Sequence, residues 1–285
     1  MYSLIIENEQ GDRLTFNELG GAFTITDIQG LNPPKATIFT GTSALIDGGI
    51  YNSAKTEMRD VKIAFAIEYT AEYNRMEMYK VLRVKKPVTI YYKSDLLDVW
   101  TKGYVQTISP TYFAKKQIVT VDILCPFPYL KGAQEIINEL SNILKGFHFP
   151  FASTSTPSLV MGEITSLNII DIENLGGIET GLTIELYAKN TVQNPRVLNY
   201  VTGDYMALAF TMEAADLITI ETEKGNKSIT LLRSGVRTNL FNYLAEGSKW
   251  LQLELGNNEF TYTMDSGSMT DLLVTFKHHD LYEGV

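Results

Sequence analysis

Alternation with a period of two residues constrains this chain more than any other feature. Leu182, Ile184 and Leu186 point one way while Thr183, Glu185 and Tyr187 point the other. Leu251, Leu253 and Leu255 alternate with Gln252 and Glu254, Phe260, Tyr262 and Met264 alternate with threonines, and Leu272, Val274 and Phe276 close the series. Successive side chains leave a strand on opposite faces, so the pattern describes antiparallel strands with one face buried and one wet. The turns agree. In residues 217–233 two such runs flank Gly225 and Asn226, where glycine supplies a positive φ cheaply. Residues 250–264 repeat the arrangement around Gly256, Asn257 and Asn258. Short strands at this spacing predict a β-sandwich or jelly roll for residues 150–285.

The first half is mixed. Strand-like runs fall at residues 2–7, 61–69, 87–93, 103–109 and 117–124. Between them, in residues 70–87, Tyr73, Met76, Tyr79 and Leu82 or Arg83 recur at the spacing of an amphipathic helix, which Pro87 stops. The first domain is therefore expected to be α+β within a mainly β chain. Ile136, Ile137, Leu140, Ile143 and Leu144 have the spacing of a second short helix, followed by a Ser/Thr/Pro-rich stretch that reads as loop. This places the domains at 1–140 and 141–285.

Charge separates the halves further. Residues 1–145 hold 16 basic and 16 acidic side chains, whereas residues 146–285 hold 8 and 17, so the net charge of −9 lies in the second half. An acidic half repels phosphate backbones, so no specific nucleic acid is expected as partner. The neutral half can pack against copies of itself without like-charge repulsion. Lys85–Lys86 and Lys115–Lys116 read as edge-strand lysines that discourage sheet pairing. No signal peptide and no apolar run long enough to span a bilayer is visible, so no membrane partner is expected. A lone cysteine, Cys125, rules out an intramolecular disulfide.

Catalytic chemistry lacks its residues. His148 lies among aromatics in Gly146–Phe151, and adjacent His278 and His279 would face opposite sides of a strand and cannot share a metal. No zinc-protease, Cys-x-x-Cys, phosphate-loop or nucleophile-elbow pattern occurs. Glu221 and Glu223 share a strand face with about 7 Å between α-carbons, as two-carboxylate hydrolysis can use. They precede a Lys-Gly-Asn-Lys turn, where solvated acids are the simpler account. No catalytic residue, cofactor or metal is expected. Trp100 and Trp250 read as core residues, with Trp250 the one candidate sugar platform if it faces outward.

The segment Gly30–Gly41, with Pro33-Pro34-Lys35-Ala36, leads into residues 45–68, which carry Asp47-Gly48, Tyr51-Asn52 and Arg59 ahead of an alternating strand. In this order the motifs resemble those of siphophage distal tail proteins. Residues 74–95, 103–130, 146–151, 180–199, 218–235, 248–267 and the closing Leu281–Val285 are similar too, so the resemblance covers nearly the whole chain. It implies a ring-forming (belt) amino-terminal domain with one helix and a galectin-like carboxy-terminal β-sandwich. It also implies a non-enzymatic hub at the virion tail tip, built in the host cytoplasm as a homo-hexameric ring, single or stacked. The implied partners are the tail tube protein, the tail-associated lysin or tail-spike protein, and receptor-binding protein. The same resemblance makes Asp47, Gly48, Tyr51, Asn52 and Arg59 candidates for shaping the ring domain or its interface. The plainer account has Gly48 turning the chain, Asn52 capping a turn and Pro33–Pro34 stiffening the loop before them. The alternative function is a lectin-like module for attachment to the host surface.

Overall fold

The computed structural model describes residues 2–16, 21–43, 46–68, 70–112, 114, 116–140, 143–145, 162–164 and 169–285. His148 lies outside them. The chain divides into two units, Met1–Ala133 with Leu281–Val285, and Gln134–Asp280.

The first unit is a curled antiparallel sheet. Its strands are β1 (Ser3–Asn8), β2 (Arg13–Phe16), β3 (Phe23–Gln29), β6 (Arg59–Ile67), β7 (Pro87–Lys93), β8 (Asp98–Pro110) and β9 (Gln117–Cys125), in the order β2-β1-β7-β8-β9-β6-β3. A separate hairpin, β4 (Ala36–Ser43) and β5 (Ile46–Thr56), leaves between β3 and β6. The short β10 (Leu130–Gly132) pairs with β8 and with Leu281–Tyr282. Curling brings the two edges together: Phe16 on β2 meets Phe23 on β3 and Phe65 on β6, with ring centroids 6.1 and 4.9 Å away. Alternation is strict where the core demands it. Leu4 and Ile6, Val61 and Ile63, and Val119, Val121 and Ile123 all point inward.

The helix α1 spans Ala71–Val81, with Glu72 in its first turn and Lys80 in its last, charges that complement its dipole. Its buried residues are Met78 and Val81, followed by Leu82. Tyr73 and Met76, at the predicted apolar spacing, are instead 65% and 51% exposed. The predicted stripe is thus split: Tyr73 and Met76 face solvent, whereas Tyr79 and Leu82 pack against the core.

The second unit is a two-sheet sandwich. One sheet runs Ile136–Leu140, Leu272–His278, Thr183–Ala188, Leu217–Glu221, Ser228–Arg233, Val236–Asn239 in that order; the other runs Ile170–Asn174, Gly256–Thr263, Arg196–Asn199, Tyr205–Ala207. Inward residues of both form one core, in which Phe260 and Phe276 approach to 5.2 Å between centroids. The predicted hairpin over 217–233 is present, with Gly225 at φ +91°.

Two expectations need correction. Ile136–Leu140 is a strand, not a helix, because residues 136–140 pair with Leu272–His278 in full register; Ile143–Lys145 likewise pairs with Gly162–Ile164. Residues 250–264 are not a hairpin either. Gln252–Leu253 pairs with Thr180–Gly181, while Gly256–Thr263 pairs with Ile170–Asn174 and Arg196–Asn199. The Asn258 side chain is buried there and bonds the backbone of Glu254 and Gly256, so it holds the chain rather than turning in solvent. Leu255 accordingly leaves the alternation and is exposed.

Candidate functional site

The β4–β5 hairpin is an arm whose apolar residues have no core to enter. Ile38, Phe39, Ile50 and Tyr51 are between 49% and 64% exposed, and none joins the core of the first unit. Pairing places them on both faces: Ile38 lies opposite Ala54 and Tyr51 opposite Thr40, whereas Phe39 lies opposite Ser53 and Ile50 opposite Gly41. Two strands alone are marginal in water, and large apolar side chains on both faces make the isolated arm less favourable still. Exposed apolar patches of this kind are characteristic of surfaces on which another molecule packs.

The sequence-predicted residues fall on this arm or at its root. Asp47 and Gly48 are exposed near the tip, with Gly48 at φ +91°. Asn52 is the extra residue of a bulge, since Phe39 pairs with Ser53 and Thr40 with Tyr51. Its amide lies over Gly41, where an added Cβ would come within 3.4 Å. The bulge re-aims Tyr51 relative to Ser53, as such insertions do.

Arg59 is of a different kind. It is 2% exposed, and its guanidinium donates to four backbone carbonyl oxygens: Pro128 at 2.7 Å, Gly30 at 2.5 Å, Asn32 at 2.9 Å and Glu283 at 2.5 Å. Burial pulls its pKa below the usual arginine value, opposed by the nearby Cys125. The rigid fork of arginine suits this work, because five donors in one plane can bind several carbonyls at once. Gly30 fits closely beneath it at φ +88°; a Cβ there would sit 1.8 Å from the Asp60 carbonyl oxygen.

A second feature of the first unit is an apolar cleft of about 380 Å³ lined by Tyr2, Leu4, Phe16, Ile25, Ile28 and Tyr92. Sequence reasoning missed it, since its lining comes from four strands far apart in the chain.

The other candidates are accounted for locally. Trp250 packs on the sandwich core, tilted against Phe241 at 5.7 Å, with Lys227 Nζ 5.1 Å from its ring centre. A sugar platform needs an uncovered face. Glu221 accepts from Thr183 Oγ1 at 2.8 Å, and Glu223 lies beyond the strand end. Lys277, next to Glu221, is bound to Glu185 at 2.7 Å. His278 is buried and His279 follows the strand end. Among the described residues, no three His, Cys, Asp or Glu side chains are placed to hold a metal ion.

Residues 175–280 match the siphovirus-type tail component, C-terminal domain. That match spans 106 of the 285 residues. Nearly the whole chain also shares the fold of solved tail proteins. The Dit protein of phage SPP1, described as a paradigm of the hub adsorption apparatus in Gram-positive-infecting phages, superposes with a TM-score of 0.67 at 12% identity, over 98% of this chain and 99% of that one. A chain of the phage P2 baseplate in its activated conformation with calcium gives 0.54 at 16% identity, over 100% of both. The strontium form of the p2 baseplate gives 0.53 at 17%, over 98% of both. No curated protein matches the chain closely enough to count as a relative. The resemblance to distal tail proteins and the mainly β fold with a galectin-like second domain are thus borne out. Among the described residues, no helix is long and apolar enough to cross a membrane.

Proposed function

We propose that this chain is the structural hub at the distal end of a long non-contractile tail. Six copies form a ring through their first units, joining the tail tube to the tail-associated lysin or tail-spike protein and to receptor-binding components. The observation that carries this reading is the β4–β5 arm, which displays Ile38, Phe39, Ile50 and Tyr51 outside any core. A closed ring needs head-to-tail contacts between two unlike surfaces. The arm supplies one, and the apolar cleft between Tyr2 and Ile28 supplies the other. Neither carries strong charge: Asp47 and Lys55 are the only ionised side chains in β4 and β5, and none lines the cleft. The acidic charge of the second half suits a wet periphery.

Head-to-tail packing has a direct test. Ile38→Asp disables the arm and Tyr2→Asp disables the cleft, each at an exposed position. Each variant alone stays monomeric in light scattering. Their mixture forms heterodimers and nothing larger, because only one productive contact remains. Full-size assemblies from either variant alone contradict the proposal.

A further inference from the structure

Residues 281–285 belong to the first unit and close around the root of the arm. Leu281 and Tyr282 pair with Lys131 and Leu130 of β10, and Leu281 is buried. The Val285 N–H donates to the Leu31 carbonyl at 3.1 Å. Gly284 lies so close to Pro33 that an added Cβ would come within 2.8 Å of its ring. Between these contacts, the Glu283 carbonyl receives the Arg59 guanidinium, which also holds Gly30 and Asn32. The chain from Gly30 to Pro33 is therefore gripped from one side by Arg59 and from the other by residues 283–285. That stretch delivers the chain into β4, and Arg59 itself begins β6, just after β5 ends. One cation thus ties both ends of the arm to residues 281–285. Among the described residues, the root of the hairpin adds the Glu57 N–H to Lys35 carbonyl bond, a Thr37–Glu57 side-chain bond and a Thr56–Tyr129 contact.

We infer that residues 281–285 are a latch that sets the direction of the β4–β5 arm, with Arg59 as the positioning residue through which it acts. This rests on the arm being the contact between copies. Assembly then requires the Leu281–Tyr282 pairing with β10 to be seated, so a protomer joins the ring only once residues 281–285 have folded back.

The test measures arm direction apart from assembly. Spin labels go on Asp47→Cys near the arm tip and Leu96→Cys, which is 94% exposed on the same unit. The native Cys125 thiol is buried with its pKa pushed up to about 11, so it does not take label. All samples carry Ile38→Asp, so that no neighbouring copy holds the arm. The latch is opened by Gly284→Val or, independently of that clash, by Leu281→Asn. The label-to-label distance distribution is expected to be narrow with the latch intact and at least twofold broader in both latch variants. Without Ile38→Asp, the same two variants lose assembly. Unchanged distributions in both overturn the latch. Assembly that persists in Ile38→Asp alone overturns the arm as contact, and the consequence for assembly with it, whatever the distributions show.

Discussion

Arg59 donates to the carbonyl oxygen of Glu283, 224 residues further along the chain. With those of Gly30, Asn32 and Pro128 this makes four backbone acceptors, and among the described residues no carboxylate pairs with this buried cation. Removing it leaves those oxygens without their donor. Arg59→Met should destabilise the first unit by about 2–4 kcal/mol in urea unfolding, since hydrogen bonds to charged groups carry about 1.5–3 kcal/mol each and partial rehydration offsets some. Arg59→Lys keeps the charge but not the planar fork, and should lose about half as much. Equal stability of the parent and Arg59→Met would falsify the clamp.

Gly30 is the most constrained position near that clamp. Its φ of +88° disfavours any side chain, and a Cβ would stand 1.8 Å from the Asp60 carbonyl oxygen. Gly30→Ala should cost at least about 3 kcal/mol, combining backbone strain of about 1–2 kcal/mol with a displaced strand. Gly48→Ala has the same sign of φ but open space around it, so it should cost only the strain. Comparing the two melting temperatures checks the argument, which predicts the larger drop for Gly30→Ala.

The sandwich should be sensitive to acid. His278 is 3% exposed, with the Asp280 carboxylate 3.6 Å from its Nε2. Burial lowers its pKa below the usual histidine value and neighbouring His279 adds to this, while the Asp280 carboxylate and the Glu173 backbone oppose it. The unfolded chain then takes up the proton first as pH falls. Stability contributed by neutral His278 is complete above the ordinary pKa, about 6.5, and is lost as pH drops toward the folded value. The stability difference between the parent and His278→Gln should shrink below about pH 6.5, by at most about 1.4 kcal/mol per pH unit. A difference independent of pH between 7 and 5 contradicts the assignment.

Much of this was legible in sequence, for identifiable reasons. Ile184, Leu186, Val274 and Phe276 alternate because one face of each strand meets the core, and that pattern needs no knowledge of partners. Ile136–Leu140 misleads because its partner strand, Leu272–His278, is remote in sequence, and pairing overrides local helical spacing. The helix is legible but not its inner face: Tyr73 and Met76 look like core residues until Met78 and Val81 are seen to take that role. Arg59 stands out only through the family motif. Its four carbonyl partners carry no side-chain signature, so no reading of residue types can find them.

Trp250 separates the structural reading from a glycan-binding one. Held on the core between Phe241 and Lys227, it should act through packing. Trp250→Ala is expected to cost about 2–4 kcal/mol, less than a fully buried tryptophan because the ring is only partly covered. The parent should give no signal on a glycan array. A glycan hit abolished by Trp250→Ala, with the melting temperature unchanged, would reverse that assignment.

The central claim is that the exposed arm joins copies of this chain. Mass in solution by size-exclusion chromatography with light scattering, followed by negative-stain imaging of the peak, tests it most directly. The account predicts particles of six copies, or two stacked rings, with sixfold symmetry, and their collapse to monomer in Ile38→Asp with the fold intact. A parent that stays monomeric even with its neighbouring tail proteins added, or rings that survive Ile38→Asp, would contradict it.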